Sequence, residues 1–189
     1  NKQKRTFEAL TELIQETADD IQYLESISNA LDIALSEADL AQIKEELMQS
    51  GYIRRKHTKK KVKLTSKPMH YISSDGYDMY VGKNNLQNEE LTFSFANGND
   101  WWFHAKGAPG SHVIVKSGGD ELPDRTFEEA GRLAAYYSKN RGADKVEIDY
   151  IQKKHVKKPN GAKPGFVVYY TNYSLVIDSD ISNIKNVQD

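Results

Sequence analysis

The hydrophobic period of this chain changes once, and a block of cations stands at the change. Phe7, Leu10, Ile14, Thr17, Ile21, Leu24, Ser28 and Leu31 recur at alternating spacings of three and four, the a/d pattern of a helical seam. From Met69 onward, alternation with period two prevails in most segments. A helical stripe cannot keep one face inward on a strand, nor an alternating pattern on a helix. The chain must therefore form helices first and a sheet second. The predicted class is α+β, an N-terminal helical, coiled-coil-like segment followed by a mixed or antiparallel sheet with packed helices.

Two of the eight seam positions, Thr17 and Ser28, are polar. A seam of this length suits both a helix packed on its own domain and a coiled-coil arm. Ser36 ahead of "EADLAQIKEELMQSGY" predicts an N-cap, with Asp39 as first-turn acid and Gly51 as the left-handed stop. The first fifty residues thus read as two helices broken near Leu35 to Ser36. Either helix could seat a further helix.

Charge is unevenly distributed behind a net value of −1. Residues 1–50 carry 4 basic and 11 acidic groups, residues 51–70 carry 8 and none, and residues 71–189 carry 14 and 16. Seven cations, Arg54, Arg55, Lys56, Lys59, Lys60, Lys61 and Lys63, fall within ten positions. Such a run repels itself and resists burial, so it reads as a basic linker over 53–67 between a helical unit (1–52) and an α+β domain (68–189). A solvated hinge is one reading. Contact with a phosphate backbone is the other, since each unneutralised cation can release a counterion from it.

Composition removes several classes. The chain has 189 residues, 38% of them hydrophobic, enough for a modest core. It has no cysteine, which excludes disulfides, thiolate metal sites and a cysteine nucleophile, and suits a reducing, cytoplasmic compartment. No apolar run of about 18 residues is present, so no membrane insertion is expected. The first residues, "NKQKRTFEAL", lack the apolar core of a signal peptide and an initiator Met, and the sequence reads as a fragment.

In the second half, "MHYISSDGYDMYVGK" alternates around Ser74-Asp75-Gly76 and predicts a hairpin. Leu86, Leu91, Phe93 and Phe95 mix both periods, with a short helix from Asn85 to about Ala96 favoured. A helix over 125–142 follows from Phe127, Ala130, Leu133, Ala134 and Tyr137 on one face. Further strands are expected in "KVEIDYIQ" and "GFVVYYTNYSLVI", the last broken into a hairpin near Asn172.

"DWWFHAKGAPGSHVIVKS", residues 100–117, holds both tryptophans and two of the five histidines. It predicts a strand on each side of Ala108-Pro109-Gly110. Trp102 and Phe103 are read against Trp101 and His104, one pair filling core and the other facing out. His104 and His112 could meet across the turn, but no further ligand stands at a metal spacing, and no metal or other cofactor is expected. Asp100 and His104 lie roughly 13 Å apart along a strand, too far for a dyad. Ser111 beside His112 points to the opposite face, and neither a nucleophile elbow nor a P-loop is present. No catalytic residue is predicted.

The same stretch offers Trp101, His104, Lys106 and His112 to a nucleic acid. The loop "YIQKKHVKKPNGAKPG" adds Lys153, Lys154, His155, Lys157 and Lys158, with no acid between Asp149 and Asp178. Cations beside aromatic strands suit a strand of RNA, the cations for phosphates and exposed rings for unpaired bases.

Three motifs in order, "SSDGYDMYVGKNNLQNEELTFSFANGNDWWFHAKGAPGSHVIV", "EEAGRLAAYYSKNR" and "VEIDYIQKKHVKKPNGAKPGFVVYY", resemble the C-terminal R domain of the NFACT family over roughly Pro68 to Ile177. The helices before them resemble the end of that family's coiled-coil middle region. The resemblance implies an RNA-binding module of a ribosome quality-control factor that acts on obstructed large ribosomal subunits with peptidyl-tRNA. It implies template-free C-terminal tailing by the full-length protein, mainly with alanine in bacteria, with tRNA engaged by an N-terminal domain outside this sequence. It implies no catalytic residue in the R domain. Some family members are named fibronectin-binding proteins, so the alternative is an adhesin for fibronectin or fibrinogen, at the cell surface by signal-less export.

Overall fold

The computed structural model describes residues 1–55 and 63–187. Two helices open it, α1 (Lys2–Ile33) and α2 (Glu37–Gln49). Their junction is a reciprocal cap: Ser36 Oγ accepts from the Asp39 N–H at 3.2 Å, and Asp39 Oδ2 accepts from the Leu35 N–H at 3.0 Å. Gly51, at φ +82°, takes the left-handed conformation just past α2.

The face that α1 buries is not the predicted seam. Tyr23, Ile27, Ala30 and Ile33 are buried, whereas Phe7, Leu10, Ile14, Ile21, Leu24 and Leu31 are all exposed. Only the C-terminal third of α1 reaches the body of the chain, and the line of side chains that meets it is rotated from the seam. Tyr23 anchors that contact. Its hydroxyl donates to Glu46 Oε2 of α2 at 2.6 Å and lies 2.6 Å from Ser50 Oγ. Burial raises the Glu46 carboxyl above its ordinary pKa.

Seven strands form one antiparallel sheet: β1 (Met69–Ile72), β2 (Asp78–Val81), β3 (Trp101–Ala105), β4 (Val113–Val115), β5 (Val146–Gln152), β6 (Tyr173–Ile177) and β7 (Lys185–Asn186). Their order is β6-β5-β3-β4-β2-β1-β7. α3 (Asn85–Glu90) leads into a π-helical turn at Leu91–Phe95, and α4 is Asp124–Tyr136. Ala130, Leu133 and Ala134 of α4 cover one face of the sheet, packing with Met79, Val81, Phe103, Val113, Val115 and Ile148. On the other face Leu91, Trp102, Ile114, Ile151 and Val156 form a second cluster.

Two sequence expectations are corrected here. Strand alternation places Trp101 with Phe103 and Trp102 with His104, and both faces of β3 are covered, so neither pair faces outward. Nor do residues 166–177 form a hairpin. Only Tyr173–Ile177 is a strand, paired to β5, while Phe166 packs toward Tyr23, and Val167 and Tyr169 toward Trp102. Those side chains gain burial over the second sheet face that a hairpin partner strand could not offer.

Gly82 shows how closely α3 is seated. A Cβ there would lie 2.0 Å from Asn88 Oδ1 and 2.9 Å from Asn88 N. That same oxygen accepts the His112 N–H at 3.1 Å. Gly82→Ala is expected to destabilise the chain by about 1–3 kcal/mol in urea unfolding, because α3 must shift or the hydrogen bond must break. An unchanged midpoint would contradict this packing.

Candidate nucleic-acid interface

The segment "LTFSF", of mixed periodicity, forms the π-helical turn. At this turn Phe93 is partly buried against the second cluster, whereas Phe95 remains 41% exposed. The Phe95 ring meets Tyr80 edge-on at 4.8 Å, and Tyr80 stacks on His70 at 4.4 Å and 8°. Lys116 Nζ stands 4.6 Å from the Phe95 centroid and pairs with buried Asp100 at 2.7 Å. Lys153 Nζ lies 6.0 Å from Phe93. The lysine turn is held to this edge by its own backbone: Lys153 N–H donates to Asp100 O at 2.8 Å and Lys154 N–H to Gly98 O at 3.0 Å. His70, Tyr80, Phe95, Lys116, Phe93, Lys153 and Lys154 thus form a ribbon of rings and cations in which Lys116 is neutralised by Asp100, and Lys153 and Lys154, with no paired acid among the described residues, supply the chemistry that tracks a phosphate backbone.

Some predicted site residues join this ribbon and others do not. Lys153, Lys154, exposed His155 and exposed Lys157 lie on or beside it. Lys158 pairs with Glu89. The cations of this loop are therefore not all free of acids, because α3 supplies one from outside the segment. Arg54 is exposed, and Arg55 pairs with Glu45 at 2.5 Å. Lys63 is exposed, while Lys56, Lys59, Lys60 and Lys61 lie outside the described residues. Lys106 pairs with Glu147 at 2.8 Å.

Trp101 is not an open stacking platform. Its ring packs against Phe127 at 4.9 Å, Tyr150 at 5.9 Å and Tyr173 at 6.2 Å, on the α4 side. His104 and His112 do meet across the turn, with ring centroids 5.7 Å apart, but within a cavity wall and not on the outer surface. His112 is buried and its Nδ1 lies 2.7 Å from Thr92 Oγ1. Burial pulls His104 down to about 4 and His112 to about 3, and His104 lowers His112 further. Both imidazoles are neutral at pH 7. Among the described residues, no group of three or more His, Asp or Glu could hold a metal ion.

Sequence reasoning missed His70, Tyr80, Phe93, Phe95 and Lys116.

The fold and this surface define an α+β module with a ribbon of cations and aromatic rings along one edge. The chain belongs to the NFACT family: residues 67–171 match the family model described as NFACT protein RNA binding domain, and residues 1–66 match NFACT N-terminal and middle domains. Rqc2 homolog RqcH of Streptococcus pneumoniae is 44% identical over 188 residues, covering 99% of this chain and 34% of that protein. Rqc2 homolog RqcH of Bacillus subtilis is 38% identical, covering 97% and 32%. The chain spans about a third of the length of these relatives. A solved structure, the C-terminal part of the fibronectin/fibrinogen-binding protein from Streptococcus suis, superposes with a TM-score of 0.88 at 41% identity, over 96% of this chain and 74% of that one. No helix among the described residues is long and apolar enough to cross a membrane.

Proposed function

We propose that this chain is the RNA- and ribosome-contacting part of a ribosome quality-control factor acting in the cytoplasm on obstructed large subunits that carry peptidyl-tRNA. It binds and has no catalytic group of its own. C-terminal alanine tailing belongs to the whole protein, with tRNA engaged by its other domains. The observation that carries this reading is the ring-and-cation ribbon, which falls within the segment matched by the RNA-binding family model. The names of the relatives support the process: RqcH in bacteria, and a ribosome quality control complex subunit NEMF homolog in Drosophila melanogaster, 35% identical over 69 residues covering 36% of this chain and 7% of that protein.

The second reading, an adhesin for fibronectin or fibrinogen at the cell surface, rests on the name of the Streptococcus suis structure. Binding to large ribosomal subunits and to fibronectin, each at several salt concentrations, separates the two. Subunit binding that weakens steeply with salt is the expected result. Tight fibronectin binding without subunit binding would favour adhesion.

Lys153→Gln, Lys154→Gln and Lys157→Gln together are expected to reduce the slope of log K against log salt by up to roughly 0.7–0.9 for each phosphate that is no longer neutralised. The melting temperature should hardly move, since exposed charges contribute little to stability. Replacing Arg54, Arg55, Lys59, Lys60 and Lys61 by Gln applies the same test to the basic run. An unchanged slope in either set removes that set from the interface.

A further inference from the structure

We propose that the cavity between β3, the 107–110 turn, the 165–169 segment and α1 receives a single unpaired nucleobase of a bound RNA strand, an inference that rests on the RNA-binding reading above. The cavity measures about 330 Å³. Rings build it in two layers: buried Trp102 and His112 form its closed floor, Trp102 stacked on His104 at 5.6 Å and 14° and His112 edge-on to both, while half-buried His104 and Tyr169, the latter 4.9 Å from Trp102, are the rings a guest can reach. A planar guest is the shape such walls accept, and single-stranded RNA is recognised by splaying bases onto rings of this kind.

The charge of the walls decides which part of a nucleotide enters. No Lys or Arg lines the cavity, Glu25 does, and both histidines are neutral at pH 7. A phosphate would be desolvated there with no counter-charge. An uncharged heterocycle would not. Its faces match the rings, while its polar edge can meet the amide of Gln22 and the carboxylate of Glu25, both on exposed positions of α1 at the mouth. A hydrocarbon ring, such as a phenylalanine side chain, would leave those groups to water and gain no hydrogen bond from them. Trp102 Nε1 is likewise buried without an acceptor among the described residues.

Cations stand around this cavity, which itself holds none. Lys106 directly precedes wall residue Gly107, Lys163 stands two before Gly165, and the Lys139 N–H donates to wall residue Pro109 at 2.9 Å. Their present partners Glu147, Asp20 and Asp32 are exposed carboxylates. Exposed ion pairs are weak, so exchange for a phosphate oxygen costs little. The flanking phosphates of an extruded nucleotide would meet these lysines while its base enters the rings.

The test compares binding of this chain to short single-stranded RNA and to the same strand with abasic sites. Intact RNA should bind roughly 5- to 150-fold more tightly, the range expected for one stacked base. His104→Leu, which keeps bulk and removes the imidazole edge, should lose most of that difference while keeping the salt slope of wild type. In Trp101→Phe, where Trp102 is the remaining tryptophan, saturating quenching by uncharged nucleosides is expected, and N-acetylphenylalaninamide should not compete. Equal binding of intact and abasic strands with a normal salt slope would overturn the base pocket and leave the RNA-binding reading standing. Absence of binding to both strands would overturn both. Quenching by the phenylalanine amide and not by nucleosides would assign the cavity to a peptide side chain and overturn the proposal.

Discussion

Trp102→Ala is expected to destabilise the chain by about 3–5 kcal/mol in urea or guanidinium unfolding. Trp102 is completely buried on β3, between Ile114 on β4 and Ile151 on β5 in the sheet register, and it anchors the second core cluster with Leu91 and Val156. Removing the indole takes packing away from the strands on both sides and enlarges the neighbouring cavity, so the surroundings cannot collapse to refill the space. Trp101→Ala should cost less, because that ring is only half-buried and lies among Phe127, Tyr150 and Tyr173. A Trp102→Ala loss below about 1 kcal/mol would mean that this face of the sheet is not a core.

Acidification from pH 7 to 4 is expected to remove on the order of 3–6 kcal/mol through His104 and His112 alone, at about 1.4 kcal/mol per pKa unit for each. Unfolded histidines take up protons near their ordinary value of 6.5, whereas burial holds the folded pair at about 4 and about 3. Between those values the unfolded state binds more protons. Stability is therefore fully present above 6.5 and falls as the pH drops toward the folded values. Asp149, whose charge raises His104, softens the loss, and the raised carboxyl of Glu46 opposes it, since that group accepts its proton in the fold more readily than when unfolded. Urea midpoints measured between pH 7 and 4.5 check the sign, and His104→Leu should flatten the profile. A midpoint independent of pH above 5 would show that the pair is solvated.

The ribbon and the cavity differ in how they could be found. Lys153 and Lys154 could be singled out because they belong to a run of cations without local acids. Lys158 looked equivalent to them, yet pairs with Glu89, a residue 69 positions away whose approach depends on where α3 docks. Phe95 and Lys116 are separated by 21 residues and meet only because β4 returns beside β3. His104 and His112 were placed across one turn correctly. Their burial was not legible, because it is imposed by α1 and the 165–169 segment closing over the sheet.

By itself the sequence determined most element types, though not the run from 166 to 172, together with the cap at Ser36 and the hairpin at Gly76. These follow from hydrophobic period, side-chain capping oxygens and the φ that glycine tolerates, all set within a few residues. It also determined the family, through three motifs in order. Only the tertiary structure decided which face of α1 is buried. The seam from Phe7 to Leu31 and the line from Tyr23 to Ile33 are both helical stripes, and a periodic pattern carries no term for which stripe meets the sheet. Docking chose Tyr23, whose hydroxyl finds Glu46 and Ser50, and left the longer apolar seam exposed. Likewise both faces of β3 read as apolar and aromatic, and only the packing of α4 on one side and α1, α3 and the 165–169 segment on the other made one a closed core and the other a core with a cavity.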